Sequence, residues 1–230
     1  MFKKIVNHLY YWCFVKPVTW LKIQAYYLKP ARKIGHLSFK SQKNEKIDLI
    51  IVAFNNEKVI ELQIARLAKY FNDSYELIIT DNSNDEQKSL LIQQICSKNN
   101  VGYLLLPKQS EFKISASHAI ALNWVYRNLV KKRRPKYFGF LDHDVFPIKP
   151  VTIKKYLKKQ KFYGLKHYGV NNANINTWNE NTSDYWYLWP GFSFYRFQAM
   201  KNIKRIDFMP LHIHNTLFDT GGSNWLSIYS

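Results

Sequence analysis

From Lys46 onward, short apolar runs alternate with longer amphipathic stretches. Asp48–Ala53 reads Asp-Leu-Ile-Ile-Val-Ala, a continuous apolar run of the kind expected for a strand buried on both faces. Glu57–Phe71 follows with apolar residues at helical spacing, which predicts a helix turning Val59, Leu62, Ala65 and Leu67 inward. The same reading predicts strands over Tyr75–Thr80, Val101–Leu106 and Tyr137–Leu141, with helices over Glu86–Ser97 and Ile114–Val130 between them. Strand–helix alternation at this spacing implies an α/β domain with a mostly parallel central sheet flanked by helices and right-handed crossovers.

In open sheets of that kind, ligands bind beyond the carboxyl ends of the strands. Those ends here carry Phe54-Asn55-Asn56, Asp81-Asn82-Ser83 and Asp142-His143-Asp144, a polar set suited to a nucleotide. There is no G-x-G-x-x-G and no G-x-x-x-x-G-K-[ST], so neither a dinucleotide fold nor a P-loop is supported. Asp142 and Asp144 leave an apolar run one residue apart. In an extended chain, positions i and i+2 project to the same side, so the two carboxylates are expected to face one point. Each would favour its protonated form there unless a cation lies between them. Hard divalent ions such as Mg²⁺ or Mn²⁺ accept carboxylate oxygens and bring phosphate as a further ligand.

Composition and charge sharpen this picture. A length of 230 residues suits one domain with a short extension, and 47% hydrophobic content excludes global disorder. The 17% aromatic content exceeds what one core of this size can bury, so some rings are expected at a surface or cleft. The net charge of +18 is concentrated. Residues 1–46 hold ten Lys or Arg against Glu45 alone, and residues 131–161 hold eleven against Asp142 and Asp144. Such a field attracts polyanions: nucleic acid, anionic headgroups or nucleotide phosphates. Cys13 and Cys96 share no zinc or disulfide spacing and read as ordinary thiols of a reducing compartment.

Residues 1–45 form a basic, aromatic N-terminal segment, with Phe2, Ile5, Leu9 and Trp12 at helical spacing and Pro17 breaking or restarting the helix. Ile5–Val15, the longest stretch between charges, is too short to span a bilayer, which takes about 20 apolar residues. Residues 1–40 suit an in-plane anchor on an anionic membrane surface, which would place the protein in the cytoplasm at the inner membrane face. The same stripe also suits a helix packed on the domain's own core.

Taken in order, Ile50–Asn56, Leu77–Ser83, Ser115–Asn123 and the strand-borne Asp142-His143-Asp144 resemble the GT-A fold of nucleotide-diphospho-sugar transferases, most nearly the family 2-like glycosyltransferases. The resemblance is good over residues 46–150, the nucleotide-binding half, and loose over 151–230, the acceptor half. It implies a metal-dependent transferase moving a sugar from a nucleotide-sugar donor to a glycan or lipid-linked acceptor, by inversion, in surface polysaccharide or glycoconjugate synthesis. It assigns Ala53, Phe54, Asn55, Asp81, Ser83, His118 and Asp142 to the donor, and Asp142 and Asp144 to Mn²⁺ or Mg²⁺. His214 is a further metal candidate.

The family's usual Glu-Asp pair for the base is missing. Asp219, ahead of two glycines, is the preferred base, and Asp184, in a polar stretch, the weaker one. Trp186 and Trp189, in a run with a turn expected at Pro190-Gly191, are assigned to the acceptor. Two other classes compete: a basic nucleic-acid-binding protein, which leaves the acidic strand ends unexplained, and a non-catalytic glycan-binding relative, against which the intact acids count.

Overall fold

The computed structural model describes residues 16–39, 45–109, 114–171, 185–213 and 216–229. The chain forms two compact units, Met1–Pro30 and Ala31–Ser230. In the first, helix α1 (Lys16–Leu28) carries Pro17 in its opening turn, where a missing N–H costs nothing. Phe2, Ile5, Leu9 and Trp12 lie outside the described residues. Among those described, no helix is long and apolar enough to cross a membrane.

The second unit is built on a seven-stranded sheet of β1 (Lys33–Gly35), β2 (Ile47–Ala53), β3 (Tyr75–Asp81), β4 (Gly102–Leu105), β5 (Tyr137–Asp142), β6 (Phe162–Tyr168) and β8 (Trp186–Arg196), in the order β1-β4-β3-β2-β5-β8-β6. β4, β3, β2 and β5 are mutually parallel, while β1 pairs antiparallel with β4 and β8 antiparallel with β5 and β6. β1 lies within the span read from sequence as the N-terminal segment. All seven residues of central β2 are buried, as its unbroken apolar run requires. A smaller sheet joins β7 (Val170–Asn171), β10 (Thr216–Phe218) and β9 (Leu211–Ile213).

Helices α2 (Glu57–Tyr70) and α3 (Glu86–Lys98) cover one face, where Ile51, Ile79, Ile60, Leu67 and Ile92 form the core. Each such side chain contributes about 1.5–3 kcal/mol by leaving water. Helix α4 (Ile114–Val125) continues through a π-helical stretch, Tyr126–Val130, into a last turn, Lys131–Arg133, and buries Ile120, Leu122 and Tyr126. At its end the fully buried Arg133 donates from Nε to Asp48 at 2.7 Å, pairs through a terminal nitrogen with Glu76 at 2.8 Å, and also donates to the Ser38 carbonyl. That cluster ties the end of α4 to the beginnings of β2 and β3. Short helices α5 (Lys154–Leu157) and α6 (Phe197–Met200) complete the unit.

Two sequence expectations need correction. The buried face of α2 is Ile60, Gln63, Ile64 and Leu67, whereas Leu62 and Ala65 are exposed and Val59 is half-buried. The buried set keeps strict i, i+3, i+4, i+7 spacing but includes a polar residue, which is why an apolar count misplaces the stripe. Pro190-Gly191 is not a turn. It lies inside β8, between the paired positions Leu188 and Phe192, where the ladder to β6 is broken by a register shift and needs no proline N–H.

Candidate functional site

The loops after β2 and β3 are knitted together. Asn55 takes the left-handed conformation (φ 49°), which asparagine tolerates better than most residues. Its N–H donates to Ser83 Oγ at 2.8 Å, its amide donates to Asn84 Oδ1 at 2.6 Å, and its Oδ1 accepts the Asp85 N–H at 3.2 Å. Asn56 caps α2 and Asp85 caps α3, each side chain accepting N–H groups of the first turn. Two helix N-termini are thereby fixed side by side at the strand ends.

Asp81 lies beneath this lattice. It is fully buried, with Oδ1 accepting the Ser83 N–H at 2.9 Å and Oδ2 accepting the Tyr103 hydroxyl at 2.8 Å. Burial and the adjacent Asp81 charge push the Tyr103 phenol far above its ordinary pKa, so it remains a donor. In this arrangement Asp81 orders the Ser83 turn rather than presenting a free carboxylate. Ala53 is likewise buried, and its carbonyl accepts the Asn82 N–H at 2.9 Å.

Above them opens a cavity of about 400 Å³. The expected residues Phe54, Ser83 and His118 line it together with Asn82, Gln109 and Ser117, which sequence reasoning did not assign. Asn82 donates to Ser117 Oγ at 3.0 Å, and the Gln109 amide donates to Asn82 Oδ1 at 3.0 Å and to the Ser117 carbonyl at 3.2 Å. An exposed aromatic ring facing polar side chains suits a nucleobase and ribose, and the volume is that of a small-molecule site. Lys108 and His143 also border it.

Asp142 ends β5 at the rim, and its Oδ1 lies 3.3 Å from His118 Nε2. The expectation that Asp142 and Asp144 project together from an extended strand is corrected. The Val145 N–H donates to the Asp142 carbonyl at 3.0 Å, so His143 and Asp144 occupy a turn, with Asp144 exposed. Gln63 fixes that turn. Fully buried on α2, its amide donates to the Asp142 carbonyl at 2.8 Å and the Val145 carbonyl at 2.6 Å. A polar residue at a helical core position was the signal available in the sequence. Two carboxylates are a suitable donor set for Mn²⁺ or Mg²⁺. Among the described residues no group of three His, Cys, Asp or Glu side chains converges, so phosphate and water oxygens would complete the shell. Asp184 and His214 lie outside the described residues.

Because Leu141 pairs with Phe192 in antiparallel register, the first half of β8 runs past the end of β5 on the side of Asp142. There Trp189 stacks on His167 at 5.6 Å and 11°. Trp186 is engaged elsewhere, packed on Tyr229 at 5.0 Å, Trp225 at 6.2 Å and Phe162 at 6.4 Å. Asp219 is exposed just after β10. Burial lowers the His167 pKa and the Asp219 charge opposes that shift, while burial and Asp219 push the Tyr187 phenol up to about 12. Asp219 therefore shares the electrostatic surroundings of the Trp189–His167 stack. Gly221, next but one, has φ 95°, and a Cβ there would lie 2.8 Å from the Pro190 ring. The segment is held by a buried network: Asn123 donates to Asp207 Oδ1 at 2.8 Å and accepts the Phe208 N–H at 3.0 Å, and Asn224 accepts the Asp207 N–H at 2.9 Å.

No protein-family model matches the chain, and no curated protein matches it in sequence. Among solved structures it is similar to the mannosyltransferase PcManGT of Pyrobaculum calidifontis in complex with GDP-Man and Mn²⁺, at TM-score 0.43 and 11% identity over 90% of this chain and 59% of that one. It is similar to S. aureus TarS at TM-score 0.41 and 23% identity, over 71% of this chain and 50% of that one. It is also similar to the mannosyltransferase Ktr4p of S. cerevisiae at TM-score 0.43 and 11% identity, over 78% and 64%. The chain thus spans between half and two thirds of the length of each of these proteins.

Proposed function

We propose that this chain is a GT-A-type glycosyltransferase using a nucleotide-sugar donor and a divalent metal ion. The observation that carries the reading is the cavity at the carboxyl ends of β2 and β3, lined by Phe54 and by polar side chains, with Asp142 paired to its lining residue His118 and His143 of the same turn at its border. Phe54 would face the base, and Asn82, Gln109 and Ser117 would meet base or ribose. Ser83 and His118 would flank the ribose and α-phosphate, with His118 also orienting Asp142. Mn²⁺ or Mg²⁺ held by Asp142 and Asp144 would supply charge stabilisation to the leaving diphosphate.

Transfer forms a bond from an acceptor hydroxyl oxygen to the anomeric carbon and breaks the bond from that carbon to the diphosphate. The hydroxyl proton passes to the Asp219 carboxylate as base, and direct attack on the face opposite the leaving diphosphate inverts the anomeric carbon. Trp189, backed by His167, offers a flat apolar face on which an acceptor sugar stacks. The glycosyl acceptor, in surface glycoconjugate synthesis, is reached from the cytoplasmic membrane face.

The test is release of nucleotide from UDP-, GDP-, dTDP- and CMP-sugars by the purified chain with Mn²⁺, with and without a chelator. Metal-dependent release from one donor class is expected. No release from any of them contradicts the proposal.

A further inference from the structure

A second cavity, of about 270 Å³, runs down the flank of the sheet between the carboxyl-terminal half of α2 and the segment after Asp144. Leu67 and Phe71 of α2 and its end, Phe192 of β8, and Phe146, Ile148 and Val151 of the segment after Asp144 line it. Only one charged side chain, Lys149, lines it. Ile148 is 75% exposed at the open edge, an expensive position for a large aliphatic residue without a partner. The groove begins at Leu141 and Val145, the residues bracketing Asp142 and Asp144, so its upper end adjoins the turn that would hold the donor diphosphate.

Its surroundings specify the charge of what it takes. From Val145 to Lys161 the chain carries six lysines and no acid. Helix α5 is joined to the groove residue Phe192 through rings: Phe192 lies 6.4 Å from Tyr163, Tyr163 stacks on Tyr156 at 4.3 Å, and Lys155 Nζ sits 4.8 Å over the Tyr156 ring. An apolar slot lined by Lys149 and followed along the chain by a lysine-rich segment complements an amphiphile with a hydrocarbon chain and an anionic head.

We infer that this groove seats the hydrocarbon chain of a phosphate-bearing lipid, with Lys149 on its phosphate. That this lipid is the acceptor rests on the glycosyltransferase reading; the binding site itself does not.

The experiment is calorimetric titration of the full chain with dodecyl phosphate below its micelle concentration, against inorganic phosphate and dodecyl maltoside. Dodecyl phosphate should bind at least about tenfold more tightly than either control, because chain burial and charge act together. Ile148→Asp and Lys149→Glu, both at exposed positions, should each weaken it by about fivefold or more while leaving the donor-induced thermal shift in place. Equal affinity for dodecyl phosphate and inorganic phosphate, or undiminished binding by Ile148→Asp, overturns the inference. A lost donor shift with intact dodecyl phosphate binding would instead overturn the transferase reading and leave the groove a lipid site.

Discussion

Gln63 illustrates how a buried polar group can be spent on geometry. Its amide spans the carbonyls of Asp142, which also accepts the Val145 N–H, and of Val145, and so holds the turn between them from below. Gln63→Leu keeps the volume and removes both bonds, so denaturant unfolding should show a loss on the order of 2 kcal/mol. The same variant should weaken metal-dependent donor binding more than metal-free nucleotide binding, and equal loss of both would speak against a positioning role. Asp219 makes a different kind of claim, because it stands exposed with little structural duty. Asp219→Asn should abolish transfer, leave donor binding unchanged and cost little stability; retained turnover would reassign the base. At this scale the sequence was legible where chemistry demands an acid at a strand end. It was not legible for Asn82, Gln109 and Ser117, whose grouping follows from the loops after β3 and β4 meeting the first turn of α4 in space. Nor did it show Asp81 turned inward, which depends on Tyr103 from the neighbouring strand.

Among the elements, the parallel strands and their helices were readable because a two-face-buried strand must be a continuous apolar run and an amphipathic helix must repeat near 3.6. β8 was misread at Pro190-Gly191 because proline's exclusion from sheets fails where a ladder is already interrupted. The α4 terminus carries a second element-level dependence. Arg133 is fully buried between Asp48 of β2 and Glu76 of β3, and its guanidinium offsets a carboxylate whose desolvation raises its pKa. Arg133→Met strands Asp48 in the interior and should cost about 3–5 kcal/mol in thermal or denaturant unfolding. The double variant Arg133→Met, Asp48→Leu should recover much of that loss, since the carboxylate left without a partner is that of Glu76, which reaches solvent, and not the buried Asp48. Failure of the double variant to recover would place the cost in packing instead.

Across the whole molecule, the basic field and the acidic site explain one another. On the proposed reading, a chain of net charge +18 that keeps Asp142 and Asp144 within its most basic stretch would draw in phosphate and hold a cation against it. Strand order places both cavities beside one turn: the polar one over β2 and β3, the apolar one below Val145. Fold class followed from pattern, and the candidate donor residues at the strand ends could be named because strand ends in an open α/β sheet converge by topology. Of the proposed acceptor end, Trp189 and Asp219 were named from sequence, but their grouping with His167 was not legible, since the three come from segments far apart in the chain. The most direct test of the central claim is a thermal-shift panel of UDP-, GDP-, dTDP- and CMP-sugars, each with and without Mn²⁺. Stabilisation by one donor class that requires Mn²⁺ and disappears in Asp144→Asn is the predicted result. Absence of any metal-dependent shift across all four donors would contradict it.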